Sequence, residues 1–145
     1  MKRNFFLVVT TITFSSIFLM ISFVFARQSL QKGYILEHEK DVSKNEPGPH
    51  EGGGTTTVNN FFVKDKDVKV AFRKRALHPG STIGYHLQKE EEVYYILGGT
   101  GEMNMNGETF IVHAGDAILT RPGSSHSLKQ EGKEDLVLII TYRIP

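Results

Sequence analysis

After Lys44 no stretch carries helical periodicity of useful length, and from Phe61 onward short alternating runs are separated by turn residues at near-regular intervals. A chain punctuated this way folds as antiparallel strands. Asn106-Gly107 gives the strongest hairpin signal, because both central positions of a two-residue turn need positive φ and these residue types tolerate it. Further turns fall at His78-Pro79-Gly80, Gly98-Gly99, Ala114-Gly115-Asp116 and Arg121-Pro122-Gly123. Strands are expected over 61–63, 68–77, 82–88, 92–97, 100–105, 108–113, 117–120, from His126, and over 134–142, which together make an all-β sandwich or barrel.

The 145 residues suffice for one domain with a real core. Residues 1–26 differ from the rest: Lys2-Arg3 precede an almost uncharged apolar run, the pattern of an export signal peptide or of an uncleaved membrane anchor. Either way the folded part is expected outside the cytoplasm, periplasmic or secreted. Residues 27–57 read as a polar arm ending in a Gly/Pro-rich loop whose prolines oppose a regular strand, and 58–145 as the barrel.

Removing Lys2 and Arg3 takes the formal charge from +1 to −1. Basic residues at Lys64, Lys66, Lys69, Arg73, Lys74 and Arg75 are interrupted by Asp65 and Asp67, so no nucleic-acid surface is expected. Without cysteine, disulfides and thiolate metal chemistry are both excluded.

Chemistry concentrates between Gly80 and Gly101. Strand alternation from Thr82 puts Gly84, His86 and Gln88 on one face and Ile83, Tyr85 and Leu87 on the other, while Glu92 shares a face with Tyr94 and Ile96. Imidazole, amide and carboxylate then converge, a mixture suited to a metal ion because a lone buried carboxylate is costly. Local spacing equally allows His86 as a core histidine beside a solvated turn at 89–92.

With these residues in register, the chain resembles the cupins. Their first motif is matched by Gly80, His86, Gln88, Glu92 and Gly99, with Gln88 where a second histidine is usual. Their second is matched by Gly115, Arg121, Gly123, His126 and Gln130, with Arg121 in place of proline and Gln130 in place of asparagine. The resemblance implies a double-stranded β-helix, or jelly-roll, antiparallel barrel. It also implies His86, Glu92 and His126 as metal ligands, with Gln88 in the fourth ligand's place. Two imidazoles and a carboxylate suit a divalent transition metal, Fe, Mn, Ni or Zn, and leave positions open for substrate or water.

Tyr94 shares parity with Glu92, and His50 stands in a loop able to fold over a pocket mouth, so both are proton-carrier candidates. Arg73 and Arg121 are candidates for clamping a carboxylate. Met103 and Met105 are possible cavity residues, whereas His78 and His113, at strand ends, are expected to be structural. The apolar last strand, with Val70 and Phe72, suggests a surface covered by a second copy, hence a homodimer. The expected function is a metal-dependent isomerase, lyase or oxygenase acting on a small polar molecule such as a sugar acid or carboxylate. The alternative is a non-catalytic cupin that binds a sugar or small metabolite.

Overall fold

The computed structural model describes residues 33–144. Of these, residues 37–144 form one compact unit. The apolar head at 5–26, on which the leader and anchor readings rest, lies outside the described residues.

A single turn of helix, α1 (Glu39–Val42), leads into ten strands: β1 (Ser43–Pro47), β2 (Thr55–Phe61), β3 (Val70–Leu77), β4 (Thr82–Leu87), β5 (Glu92–Gly98), β6 (Thr100–Met105), β7 (Glu108–His113), β8 (Ala117–Thr120), β9 (Ser125–Glu131) and β10 (Leu136–Arg143). They form a six-stranded sheet ordered β1-β2-β3-β10-β5-β8 and a four-stranded sheet ordered β4-β9-β6-β7. All pairings are antiparallel. This is the expected jelly-roll barrel. Leu77, Ile83, Tyr94, Ile96, Met103, Val112, Leu128, Leu136, Leu138 and Ile140 fill its interior. Asn106 and Gly107 make the β6–β7 turn with φ of 52° and 91°, as its two-residue geometry requires.

Three expectations are corrected by the strand layout. First, the loop expected from Asn45 to Thr57 is shorter, since Ser43–Pro47 pairs with β2, which begins at Thr55. Pro47 is tolerated because β1 is an edge strand and Pro47 its last residue, where a missing N–H costs little. Glu46 of β1 reaches the buried Arg75 at 2.7 Å, and Thr56 Oγ1 accepts from the same guanidinium at 2.6 Å.

Second, Ile83 lies in the same interior as His86, not on the opposite face. The β4–β9 register shifts between Ile83 and His86, and a bulge reverses the parity of side chains beyond it. Gly84 sits in that irregular stretch and donates its N–H to the Pro49 carbonyl at 2.9 Å.

Third, β10 lies centrally between β3 and β5, and Leu136, Leu138 and Ile140 are buried within the single chain. The inward face of the apolar strand is therefore covered without a second copy and gives no ground for the expected homodimer, while Val70 and Phe72 on β3 are exposed. Among the described residues no helix is long and apolar enough to cross a membrane, so nothing in them supports the membrane attachment expected of the head.

Candidate metal centre

His86 and His126 are direct register partners across β4 and β9, so the four-stranded sheet places two imidazoles side by side. Their ring centroids lie 4.4 Å apart. Glu92 opens β5 in the opposing sheet and points between the layers, with Tyr94 and Ile96 on the same face. Each of His86, Glu92 and His126 offers a ligand atom, and these atoms all lie within 4.8 Å of one another. His86 and His126, forty positions apart, meet because β9 pairs with β4 in one sheet, and Glu92 reaches them from β5 in the facing sheet.

Two of the four buried polar side-chain atoms without a hydrogen-bond partner among the described residues belong to this cluster, Glu92 Oε2 and His126 Nδ1. Folded proteins rarely leave such atoms unsatisfied, so an orphaned carboxylate oxygen beside two imidazoles fits a cation. Glu92 Oε2 is 3.6 Å from His126 Nε2, too long for a hydrogen bond. The donor set of two nitrogens and one oxygen suits a divalent transition metal.

The electrostatics agree. Burial pushes the Glu92 carboxyl up to about 7, against the smaller opposing effects of a hydrogen bond from Tyr94 and the nearby Arg73 charge. Burial likewise pulls His126 down to about 4, with His86 and His50 adding to the shift. The pocket thus penalises a bare carboxylate and an imidazolium alike, and holds His126 in the neutral form that binds metal.

Tyr94 is fully inside, its hydroxyl 3.1 Å from His126 Nε2. Burial, followed by the Glu92 charge, raises its pKa well above the phenol's ordinary value, so it keeps its proton. His50 comes to the site from the β1–β2 loop: its ring stacks on that of His86 with centroids 3.6 Å apart and planes 3° from parallel. His50, Arg73, His86, Gln88 and Glu92, together with Tyr142, line a cleft of about 440 Å³. Gln88 is a wall residue whose backbone is fixed by bonds to Ser124 and Gly123. Arg73 rests over the Tyr142 ring at 5.2 Å and has no carboxylate within ion-pair distance among the described residues.

Arg121 is not brought to the cleft. It is exposed and faces Glu91 at 3.6 Å, an ion pair in solvent, because the turn at 121–124 points outward. Met103 is core, and Met105 packs at its edge. His78 is structural, bonded to Asp135 and Thr57. Gln130 is a strap: its amide bonds the Gly80 N–H and the carbonyls of Glu131, Gly132 and Glu134. Tyr142 was not anticipated at the cleft, although alternation along β10 from Leu136 through Ile140 leads to it.

A two-sheet antiparallel barrel with a histidine–carboxylate cluster between its layers defines a small β-barrel protein of the metal-binding kind. Residues 74–142 match the family model described as Cupin domain, and the barrel belongs to the cupin superfamily.

The chain is 42% identical over 66 residues to an oxalate-binding protein of Thermotoga maritima, a match covering 45% of this chain and 54% of that protein. It is 26% identical over 66 residues to 5-nitrosalicylic acid 1,2-dioxygenase of Bradyrhizobium sp, covering 46% of this chain and 32% of the relative. These matches span from about a third to just over half of the relatives' own length. Among solved structures, a predicted oxalate decarboxylase of Thermotoga maritima superposes with a TM-score of 0.69 at 28% identity, covering 77% of this chain and all of that one.

Proposed function

We propose that His86, Glu92 and His126 hold one divalent transition metal, and that the cleft beside them binds a small carboxylate such as oxalate and acts on it. The observation that carries this reading is the orphaned Glu92 oxygen beside two imidazoles, in a cleft whose only guanidinium is unpaired among the described residues. A bound metal would act as a Lewis acid, polarising a carboxyl or carbonyl oxygen of the ligand.

The protein's own groups divide the remaining work. Arg73 presents a planar fork to a carboxylate, and stacking on Tyr142 limits how far that fork can swing. Tyr94, held protonated, offers a hydrogen bond from the floor of the site. His50 covers the His86 side of the mouth. The relatives named for oxalate support the ligand class, and the basic-then-apolar head is the reason to place the activity outside the cytoplasm.

A second reading, binding without turnover, is favoured by the name of the oxalate-binding relative. Elemental analysis of protein purified without a histidine tag tests the metal: about one ion per chain is expected, and none in His126→Ala. Calorimetry with oxalate, followed by an assay for its disappearance, separates an enzyme from a binder. Protein without metal and without affinity for oxalate would end both readings.

A further inference from the structure

The cluster's least buried ligand is the one given the most support, and that support comes from a segment outside the 74–142 stretch that matches the family. Residues 48–54 lie along β4 with backbone against backbone. The Gly84 N–H donates to the Pro49 carbonyl at 2.9 Å, and the Thr82 N–H to the Gly53 carbonyl at 2.9 Å. A Cβ on Gly84 would collide with the His50 carbonyl oxygen, and a Cβ on Gly52 with the Thr82 carbonyl oxygen. The loop is seated so closely that side chains are excluded from the contact on both sides.

At its tip, His50 and Glu51 have φ of 55° and 59°. Two successive non-glycine residues in the left-handed region are a cost, in a loop that has three consecutive glycines immediately after them. What the conformation achieves is the parallel stack of the His50 ring on His86. His50 itself is outside the group of mutually adjacent ligand atoms. The same loop also fixes Gly84, whose carbonyl meets His86 Nδ1 at 2.8 Å and thereby leaves Nε2 as the free donor atom.

We infer that the 48–54 loop is a built-in support for His86, with His50 as a positioning residue that clamps the imidazole plane between itself and His126, in a cupin whose usual second histidine is Gln88. Its role toward the ion rests on the metal reading above; the stack itself does not. A histidine ligand held on its Nδ1 and on one face loses little orientational freedom when it binds. Stacking requires a flat ring at position 50, whereas coordination would require a nitrogen.

The test compares His50→Ala and His50→Phe in the full chain by two readouts. The first is the His86 ring-proton resonances of metal-free protein, assigned by their loss in His86→Asn. The second is affinity for Co(II). His50→Ala is expected to move the His86 resonances downfield as the ring current above them disappears, and to weaken Co(II) binding about tenfold or more. His50→Phe should restore both. Unchanged resonances in His50→Ala would overturn the support role, as would Co(II) affinity lost in both variants alike, which would make His50 a ligand. Wild-type protein that binds no Co(II) overturns the metal reading instead, and the resonances still decide whether the stack exists.

Discussion

Glu92 Oε2 lies 3.6 Å from Nε2 of His126, closer than two unlinked buried groups need to be and too far for a hydrogen bond. Ligands about 2.1 Å from one ion at a near-tetrahedral angle sit about 3.4 Å apart. Removing either partner should therefore abolish the site rather than weaken it slightly. His126→Ala and Glu92→Gln are each expected to lower affinity for Zn(II) or Co(II) at least about 100-fold, beyond what loss of a supporting residue does. Competition against a chelating dye measures this, and an affinity within a few-fold of wild type in both variants would refute the assignment.

Metal affinity should depend on pH through Glu92. With its carboxyl pushed up to about 7, an ion arriving below that pH must displace a proton. The dissociation constant is expected to rise at least about tenfold per pH unit below 7. His126, pulled down to about 4, adds no second proton until the solution is far more acid. A flat profile between pH 5 and 7 would show that Glu92 is not a ligand, or is already ionised.

The same carboxyl acts on stability in the metal-free protein, in the opposite sense. Its folded pKa of about 7 exceeds the ordinary 4.5, so its contribution is complete below 4.5 and is lost as pH rises through 7. His126, at about 4 against 6.5, contributes fully above 6.5 and loses that as pH falls through 4. Between 4.5 and 6.5 the two oppose each other, so wild type alone hides the effect. Glu92→Gln exposes it: its stability relative to wild type should grow by about 3 kcal/mol from pH 4.5 to 8 in chelator. Urea unfolding at the two pH values reads the difference, and no growth would mean that Glu92 is not desolvated in the fold.

How far the sequence reaches follows from what each feature depends on. The barrel rests on local alternation and turn residues, which is why the Asn106-Gly107 turn and the β5 face carrying Glu92 and Tyr94 were legible, whereas joining His126 to His86 and Glu92 rested on the match to the cupin motifs. The side on which Ile83 falls was not legible, because a bulge between it and His86 changes parity without a change in residue type that marks it. Strand β1 was also hidden: its residues are polar, and it is held by pairing with β2 and by the Glu46–Arg75 ion pair across 29 positions. His50 was legible as a loop residue near a mouth. Its stack on His86 depends on backbone contact at Gly84, which no periodicity reports.

Arg73 faces the cleft without a carboxylate partner among the described residues, whereas Arg75 two positions along the same strand is consumed by Glu46 and Thr56. A ligand carboxylate is the partner the cleft leaves room for. Arg73→Ala is expected to weaken oxalate binding about 10- to 100-fold while leaving metal content unchanged. Arg73→Lys should recover only part, since a point charge lacks the bidentate fork. Calorimetry on metal-loaded protein measures both variants, and an unaltered Arg73→Ala would put the carboxylate elsewhere.

Gly84 is where the loop and the strand carrying His86 touch, and the atoms nearest its Cβ would be backbone: the His50 carbonyl and the Gly52 nitrogen. Neither can swing aside as a side chain would, so Gly84→Ala must lift the loop. A loss of about 1–3 kcal/mol is expected from that overpacking. Cleavage by a glutamate-specific protease at the exposed Glu51 should quicken, and Co(II) affinity should fall along with it. Gly53 supplies the control, because a Cβ there meets nothing within 4 Å and its backbone bond to Thr82 is unaffected by substitution. Gly53→Ala should match wild type in stability, protection and affinity. A Gly84→Ala protein that remains protected at Glu51 and binds Co(II) as before would show that the seating of the loop and the readiness of His86 are independent.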